Sequence, residues 1–244
     1  MADRTTQRPR EDTGRPARRA DAVVDALLED IVSGELATGQ LVPNEAALCL
    51  AHGVSRTVVR EAVKALESHG LLTVRQGIGT TVTPQEAWNL LEPRVLAAVV
   101  EHDEQFHVLD QLVAVRTALE SGMAADAARM AGPDDLADLR RMLDELDDLV
   151  DDPERMDDAD VAFHERIMLA SGNQLGRAIV RTVHAEARRS RRYSGVVGPV
   201  DRRETNRQHR EVLKAIGSGD AAAAERAMAA HIESSWERRR PRNG

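Results

Sequence analysis

Cysteine, aromatic residues and long apolar runs are all scarce in this chain, and each scarcity closes off a class of protein. Cys49 is the only cysteine among 244 residues, so no internal disulfide can form and a reducing compartment is expected. The aromatics are Trp88, Phe106, Phe163, Tyr193 and Trp236. Strands favour β-branched and aromatic side chains, so an Ala- and Leu-rich chain with so few is expected to consist mainly of packed helices. No apolar run reaches the length of a membrane span, and the first twenty residues are polar with no signal-peptide core. A cytoplasmic protein of one or two domains, with no membrane partner, is expected.

Basic charge is also short overall, with a formal net charge of −8. That total argues against a polyanionic partner until it is divided along the chain. Residues 1–84 carry ten Arg or Lys against eleven acids, and residues 101–170 carry six against twenty. Residues 171–244 reverse the sign, with sixteen against eight. The acidity is therefore concentrated between residues 101 and 170, and the first 84 residues are nearly neutral. For a nucleic-acid partner, local placement of Arg and Lys matters more than the total.

What is present begins with a polar, Arg-containing segment, residues 1–19, expected to be a mobile arm that is either solvated or touches DNA phosphates. Val23, Val24, Leu27, Leu28 and Ile31 follow at helical spacing and predict a helix over 20–33. Asn44 is placed to cap a short second helix ending at His52-Gly53, and Ser55 to cap a third that runs to about His69. LLTVR and TTVT, separated by Gln76-Gly77-Ile78-Gly79, then read as a β-hairpin.

Three helices and a hairpin make a winged helix-turn-helix, expected over residues 20–84. At about 100° per residue, Val58, Val59, Ala62, Val63 and Leu66 share one face of the third helix, and Arg56, Arg60, Lys64 and Glu67 cluster on the other. One face can pack while the other enters a DNA groove, where Arg suits guanine edges and phosphates. Taken alone, two arginines one turn apart would favour ordinary surface charges; the Gly turn, the cap and the wing around them favour DNA contact. The candidate double-stranded DNA contacts are Ser55, Arg56, Thr57, Arg60, Lys64 and, on the wing tip, Gln76 and Gly77.

The stretch LVPNEAALCLAHGVSRTVVREAVKALESHGLLTVRQGIGTTV resembles the DNA-binding domain of the GntR family of bacterial regulators. The resemblance implies that Arg56 and Arg60 contact operator bases or phosphates and that Gln76 and Gly77 reach into the minor groove. Many members carry Arg where this chain has Ala46, so operator sequence does not carry over.

Beyond Pro84 the pattern is helical, with helices expected near 86–101, 105–131, 134–151, 156–171, 174–193, 202–217 and 220–239 and a short tail at 241–244. Their lengths and short connections predict an antiparallel bundle over residues 85–240. The expected fold is thus mainly α, a winged helix-turn-helix followed by an all-α bundle. WNLLEP at 88–93 and the SGN and GD turns resemble the FadR subfamily of GntR regulators, whose effector domain is called FCD.

Polar residues on apolar faces carry the chemistry of this bundle. Asp160 and His164 are one turn apart on a face with Ile167 and Met168. His209 lies among Val212, Leu213 and Ile216, and His231 among Ala224, Ala227 and Met228. The turn at 217–220 makes the last two helices a hairpin in which His209 and His231 differ in height by roughly one turn, so they can converge. Buried together without partners, one carboxylate and three imidazoles would be costly. A divalent transition metal such as Zn or Ni satisfies all four, and a set of hydrogen-bonded interior histidines is the alternative. The FCD resemblance implies the metal, because such domains use an Asp-x-x-x-His pair and two later histidines as ligands.

Four protein ligands on a six-coordinate ion leave two positions open, and the resemblance implies a small carboxylate effector at or beside them. Arg116, in VRTALE, and Arg188 are the candidate anchors, although 188–192 also reads as a solvated basic face; His184 is a candidate lining residue. The expected protein is a homodimeric transcription regulator, a repressor, that reads a palindrome with two recognition helices. A purely structural metal and a metalloenzyme are the alternatives, the second without any further acid, base or nucleophile at motif spacing.

Overall fold

The computed structural model describes residues 14–190, 193 and 197–240, so most of the expected arm and the 241–244 tail lie outside the described residues. The chain divides into two compact units, Met1–Ala98 and Val99–Gly244.

In the first unit, α1 (Gly14–Val32) begins ahead of the expected start at residue 20. Pro16 falls in the first turn, where its missing N–H costs nothing, and Ala17, Arg18, Arg19 and Ala20 are good helix formers. Val23, Val24, Leu27, Leu28 and Ile31 are buried. In α2 (Glu45–His52) the Asn44 Oδ1 accepts from the Ala47 N–H at 3.0 Å, and Gly53 ends the helix in the left-handed region at φ 62°. Ser55 Oγ accepts from the Val58 N–H to start α3 (Arg56–Ser68), which buries Val58, Val59, Ala62 and Leu66.

The wing is an antiparallel hairpin, β1 (Leu72–Arg75) with β2 (Gly79–Val82), in which Leu72 pairs with Val82 and Arg75 with Gly79. Gly70 precedes it at φ +80°, and a Cβ there would sit 2.1 Å from the carbonyl oxygen of Ala87. The expected continuous helix over 86–101 is instead a 3₁₀ turn (Gln85–Ala87), an irregular stretch, and α4 (Pro93–Glu101). Two causes are visible. Pro93 disfavours helical backbone in the residue before it, and the stretch folds back on the wing, with Trp88 Nε1 donating to Thr83 O and Asn89 N–H to His69 O.

The second unit is helical: α5 (His107–Met130), α6 (Pro133–Asp148), α7 (Pro153–Ala170), α8 (Gln174–Arg189), α9 (Pro199–Gly217) and α10 (Ala221–Arg239). The long α5 runs through the middle, packed by α7, α8, α9 and α10, while α6 lies against α7 and α9. Asp103 starts α5 by accepting from the N–H groups of His107, Val108 and Leu109 at 2.8–3.0 Å. Asp152, Asn173 and Asp220 do the same for α7, α8 and α10. Leu109, Leu139, Leu146, Phe163, Ile167 and Met228 are among the fully buried side chains. Among the described residues no helix is long and apolar enough to cross a membrane.

Candidate nucleic-acid interface and metal centre

The first unit presents Ser55, Arg56, Thr57, Arg60 and Lys64 on the exposed side of α3, opposite its buried aliphatic face. Gln76 and Gly77 are exposed at the wing tip, where Gly77 adopts φ +81°. Arg60 is engaged in this state: its Nε donates to Glu45 Oε1 at 2.8 Å, with both side chains largely exposed. Such a pair contributes little and exchanges readily for another anion.

In the second unit α7, α9 and α10 bring Asp160, His164, His209 and His231 together, their candidate ligand atoms all within 4.8 Å of one another. The three imidazoles are buried, His209 completely, and their Nε2 atoms form a triangle. His164 to His231 is 3.1 Å, His209 to His231 is 3.1 Å, and His209 to His164 is 3.4 Å. Asp160 Oδ1 lies 3.4 Å from His209 Nε2.

The residues behind the rings determine what those nitrogens carry. His164 Nδ1 is 2.6 Å from Glu120 Oε2, and the Glu120 carboxylate receives Arg116 Nε at 2.6 Å. Burial opposes the Glu120 charge, but Arg116 and His164 outweigh it and hold the carboxyl well below the usual range. An ionised carboxylate only accepts, so His164 Nδ1 carries the proton and its Nε2 presents a lone pair. His231 Nδ1 faces Gln208 Oε1 at 3.2 Å. Gln208 Nε2 donates to Glu204 and Ser234, which orients the amide and makes Oε1 the acceptor. His231 Nε2 therefore presents a lone pair as well.

Two lone pairs face each other across 3.1 Å in a buried site, and a hydrogen bond between these two rings cannot relieve them. His209, whose Nδ1 has no partner among the described residues, has one Nε2 proton at most to offer. A cation between the rings can relieve them, and a divalent metal held by Asp160 and three imidazoles fits the donor set. Burial pushes His209 down to about 3 and His231 well below its ordinary value, which favours neutral, ligating rings. Burial would raise Asp160, but its attraction to any proton carried by His164 and His209, and to the charge of Arg239, keeps it well below the carboxylate range.

A cavity adjoins the cluster, lined by Arg116, His184, Tyr193, Ser235, Trp236 and Arg239 together with Asp160, His164 and His231. Its free room is about 20 Å³, enough for a single water. Arg116 is buried there, its Nη1 against His184 Nε2 at 3.1 Å and donating to the Tyr193 hydroxyl. Tyr193 stacks on Trp236 with ring centroids 5.7 Å apart. Arg188 is not brought to this cavity: it pairs with the exposed Asp158 and lines a different groove with Glu165 and Arg181. Sequence reasoning named Arg116 but missed Glu120, Gln208 and Arg239. The Arg116–Glu120 spacing of one turn, on a face that is otherwise apolar, was the available signal.

The bacterial regulatory protein gntR family matches residues 19–82, and the FCD domain family matches residues 111–234, half of the chain. The chain belongs to the GntR family of bacterial regulatory proteins. The HTH-type transcriptional regulator LutR of Bacillus subtilis is 30% identical to this GntR protein over 206 residues, 83% of this chain and 92% of LutR. The galactonate operon transcriptional repressor of Escherichia coli is 28% identical over 220 residues, covering 90% and 96% of the two chains. Among solved structures, Lar of Listeria monocytogenes aligns with a TM-score of 0.54 at 18% identity over 90% of this chain and 95% of that one, a likeness of fold. This GntR protein is thus a DNA-binding transcriptional regulator with an FCD domain rather than an enzyme.

Proposed function

We propose that this regulator is a homodimeric repressor of the FadR type whose hold on operator DNA is controlled by a small organic acid bound beside a metal. The metal is held by Asp160, His164, His209 and His231, and α3 reads DNA through Arg56 and Arg60 with Ser55, Thr57 and Lys64 beside them. Gln76 and Gly77 enter the minor groove. The observation that carries the reading is the pair of opposed lone pairs on His164 and His231, each enforced by its own partner, Glu120 or Gln208.

Several features support a carboxylate as the effector. A bound divalent ion supplies positive charge and open coordination positions, only partly neutralised by Asp160. Arg116 reaches the same cavity, where the Tyr193 hydroxyl now takes its Nη1. The galactonate operon repressor, similar over nearly its whole length, is named for the operon of a sugar acid, which supports both repression and an acidic effector. Two recognition helices in a dimer would read a palindromic site, and effector binding would act on DNA through an allosteric coupling.

The test is an anisotropy titration of metal-loaded protein on the DNA upstream of its own gene, with and without hydroxy acids such as D-galactonate. Salt-sensitive, sequence-preferring binding that weakens with acid only in the metal-loaded protein is expected. Absence of sequence preference overturns the reading. The small free room beside the ligands favours one second reading, a purely structural metal. Under it, chelation lowers the melting temperature while no acid shifts it.

A further inference from the structure

On the outward face of α3, Glu67 follows Lys64 by about one turn and Arg60 by about two. It is exposed and has no ion pair among the described residues. Phosphates that attract Lys64 and Arg60 repel a carboxylate beside them, so contact with DNA does not account for Glu67. A different partner does. Glu67 Oε1 accepts from the Val74 N–H in the middle of β1 at 3.2 Å.

The base of the wing is well held without this bond. Leu71 and Leu72 are buried, the Leu71 N–H donates to Leu66 O, and the Thr83 N–H donates to Leu71 O. Toward the tip that support ends. Leu41 bridges to Thr81 on one side of β2 and β1 pairs on the other, so the outer edge of β1 has no strand beside it among the described residues. Val74 and Ile78 are 50% and 61% exposed. Both line a groove of about 670 Å³ that lies between the wing and Arg60, Lys64 and Glu67 of α3. No packed core therefore fixes the spacing of helix and wing tip. The Glu67–Val74 bond is the one hydrogen bond between α3 and β1 among the described residues. It lies two residues, about 7 Å of strand, ahead of Gln76.

We infer that Glu67 is a positioning residue: its bond to the edge of β1 sets the distance between the recognition helix and the wing tip, so that both grooves of the operator are read at once. The duplex fixes the separation of neighbouring grooves, and a hairpin free to swing at its tip meets the second groove only part of the time. An ionised acceptor on an unpaired edge N–H is a strong tie for this purpose. The inference rests on the reading that Gln76 and Gly77 enter the minor groove, and deepens it by naming what holds them in place. Charge and tie are separable. Glu67→Gln keeps an acceptor oxygen and removes the charge, whereas Glu67→Ala removes both.

The experiment uses full-length wild type, Glu67→Ala and Glu67→Gln with the DNA upstream of the protein's own gene. Amide hydrogen exchange in the free protein reports the tie itself. Anisotropy titration gives affinity, hydroxyl-radical footprinting the minor groove, and dimethyl sulfate protection of guanine N7 the major groove. Glu67→Ala is expected to speed exchange at the Val74 amide and to weaken binding by about 2–10-fold. It loses minor-groove protection while guanine protection under α3 persists. Glu67→Gln keeps slow exchange and both footprints, and binds at least as tightly as the wild type. Equal behaviour of the two variants overturns the inference, because charge alone then accounts for Glu67. The two ideas also fail separately. Exchange that responds to Glu67→Ala, in a protein whose wild type leaves the minor groove unprotected, removes the wing-tip reading and keeps the tie. Minor-groove protection by the wild type that Glu67→Ala matches, in footprint and in exchange, removes the positioning role alone.

Discussion

His164 Nε2 and His231 Nε2 stand 3.1 Å apart, both as lone pairs, because Glu120 and Gln208 each hold the proton of the opposite ring nitrogen. The site is therefore arranged for a cation before one arrives. We expect one divalent ion per chain by elemental analysis, and a melting temperature that falls on chelation. At an ion concentration a hundredfold above Kd the stabilisation is about 2.7 kcal/mol. His164→Ala abolishes the stoichiometric ion.

Glu120→Gln tests the second layer. The amide no longer enforces the proton position on His164 and leaves Arg116 without its counter-charge. Metal affinity is expected to fall by about 10–100-fold. Glu120→Ala, which strands the buried guanidinium outright, destabilises the bundle by about 3–5 kcal/mol in a denaturant titration.

Acid should destabilise the metal-free protein, and the sign follows from His209. Its folded value of about 3 lies below its unfolded value near 6.5. Between these the unfolded chain binds a proton that the folded chain refuses, so stability is complete above about 6.5 and declines as pH falls toward 3. The slope is about 1.4 kcal/mol per pH unit for each such histidine. Burial lowers His231 and His184 in the same direction. Melting curves of chelated protein at pH 7.5 and 5.5 check this, and His209→Gln flattens the dependence.

On the DNA side, Arg56→Ala is expected to cost about 1–3 kcal/mol of operator affinity and to relax preference at the contacted base. Lys64→Ala weakens all sequences alike and reduces the salt slope by about one. Glu45→Gln releases Arg60 from its exposed pair and raises affinity for nonspecific DNA. Anisotropy titrations over a range of salt distinguish the three.

Gly70→Ala should unfold the wing. The new Cβ meets the Ala87 carbonyl oxygen at 2.1 Å, in a backbone conformation of φ +80° that L side chains rarely adopt. The expected loss exceeds about 1–3 kcal/mol, read by denaturation and by loss of DNA binding.

The local rules were legible wherever one side chain speaks to its own helix. Asn44, Ser55, Gly53 and Gly70 announced the ends of α2 and α3, and the faces of α3 divided as their spacing required. The stretch after Pro84 was less legible. Helical propensity runs through WNLL, but the Trp88–Thr83 and Asn89–His69 hydrogen bonds that break it come from residues of the wing and α3.

In the second unit the sequence by itself determined which polar residues lie on apolar faces, since helical period alone puts Asp160, His164, His209 and His231 there. Their meeting within 4.8 Å depended on how α7, α9 and α10 pack, as did the choice of Glu120 and Gln208 as the groups behind the rings. The same packing brought Arg239 to the cavity and left Arg188 outside it, though the two look alike as basic residues near helix ends. A periodicity gives the angle of a side chain about its own axis. Which axis lies opposite, and at what height, is set by the summed burial of many side chains, and only the tertiary structure decided it.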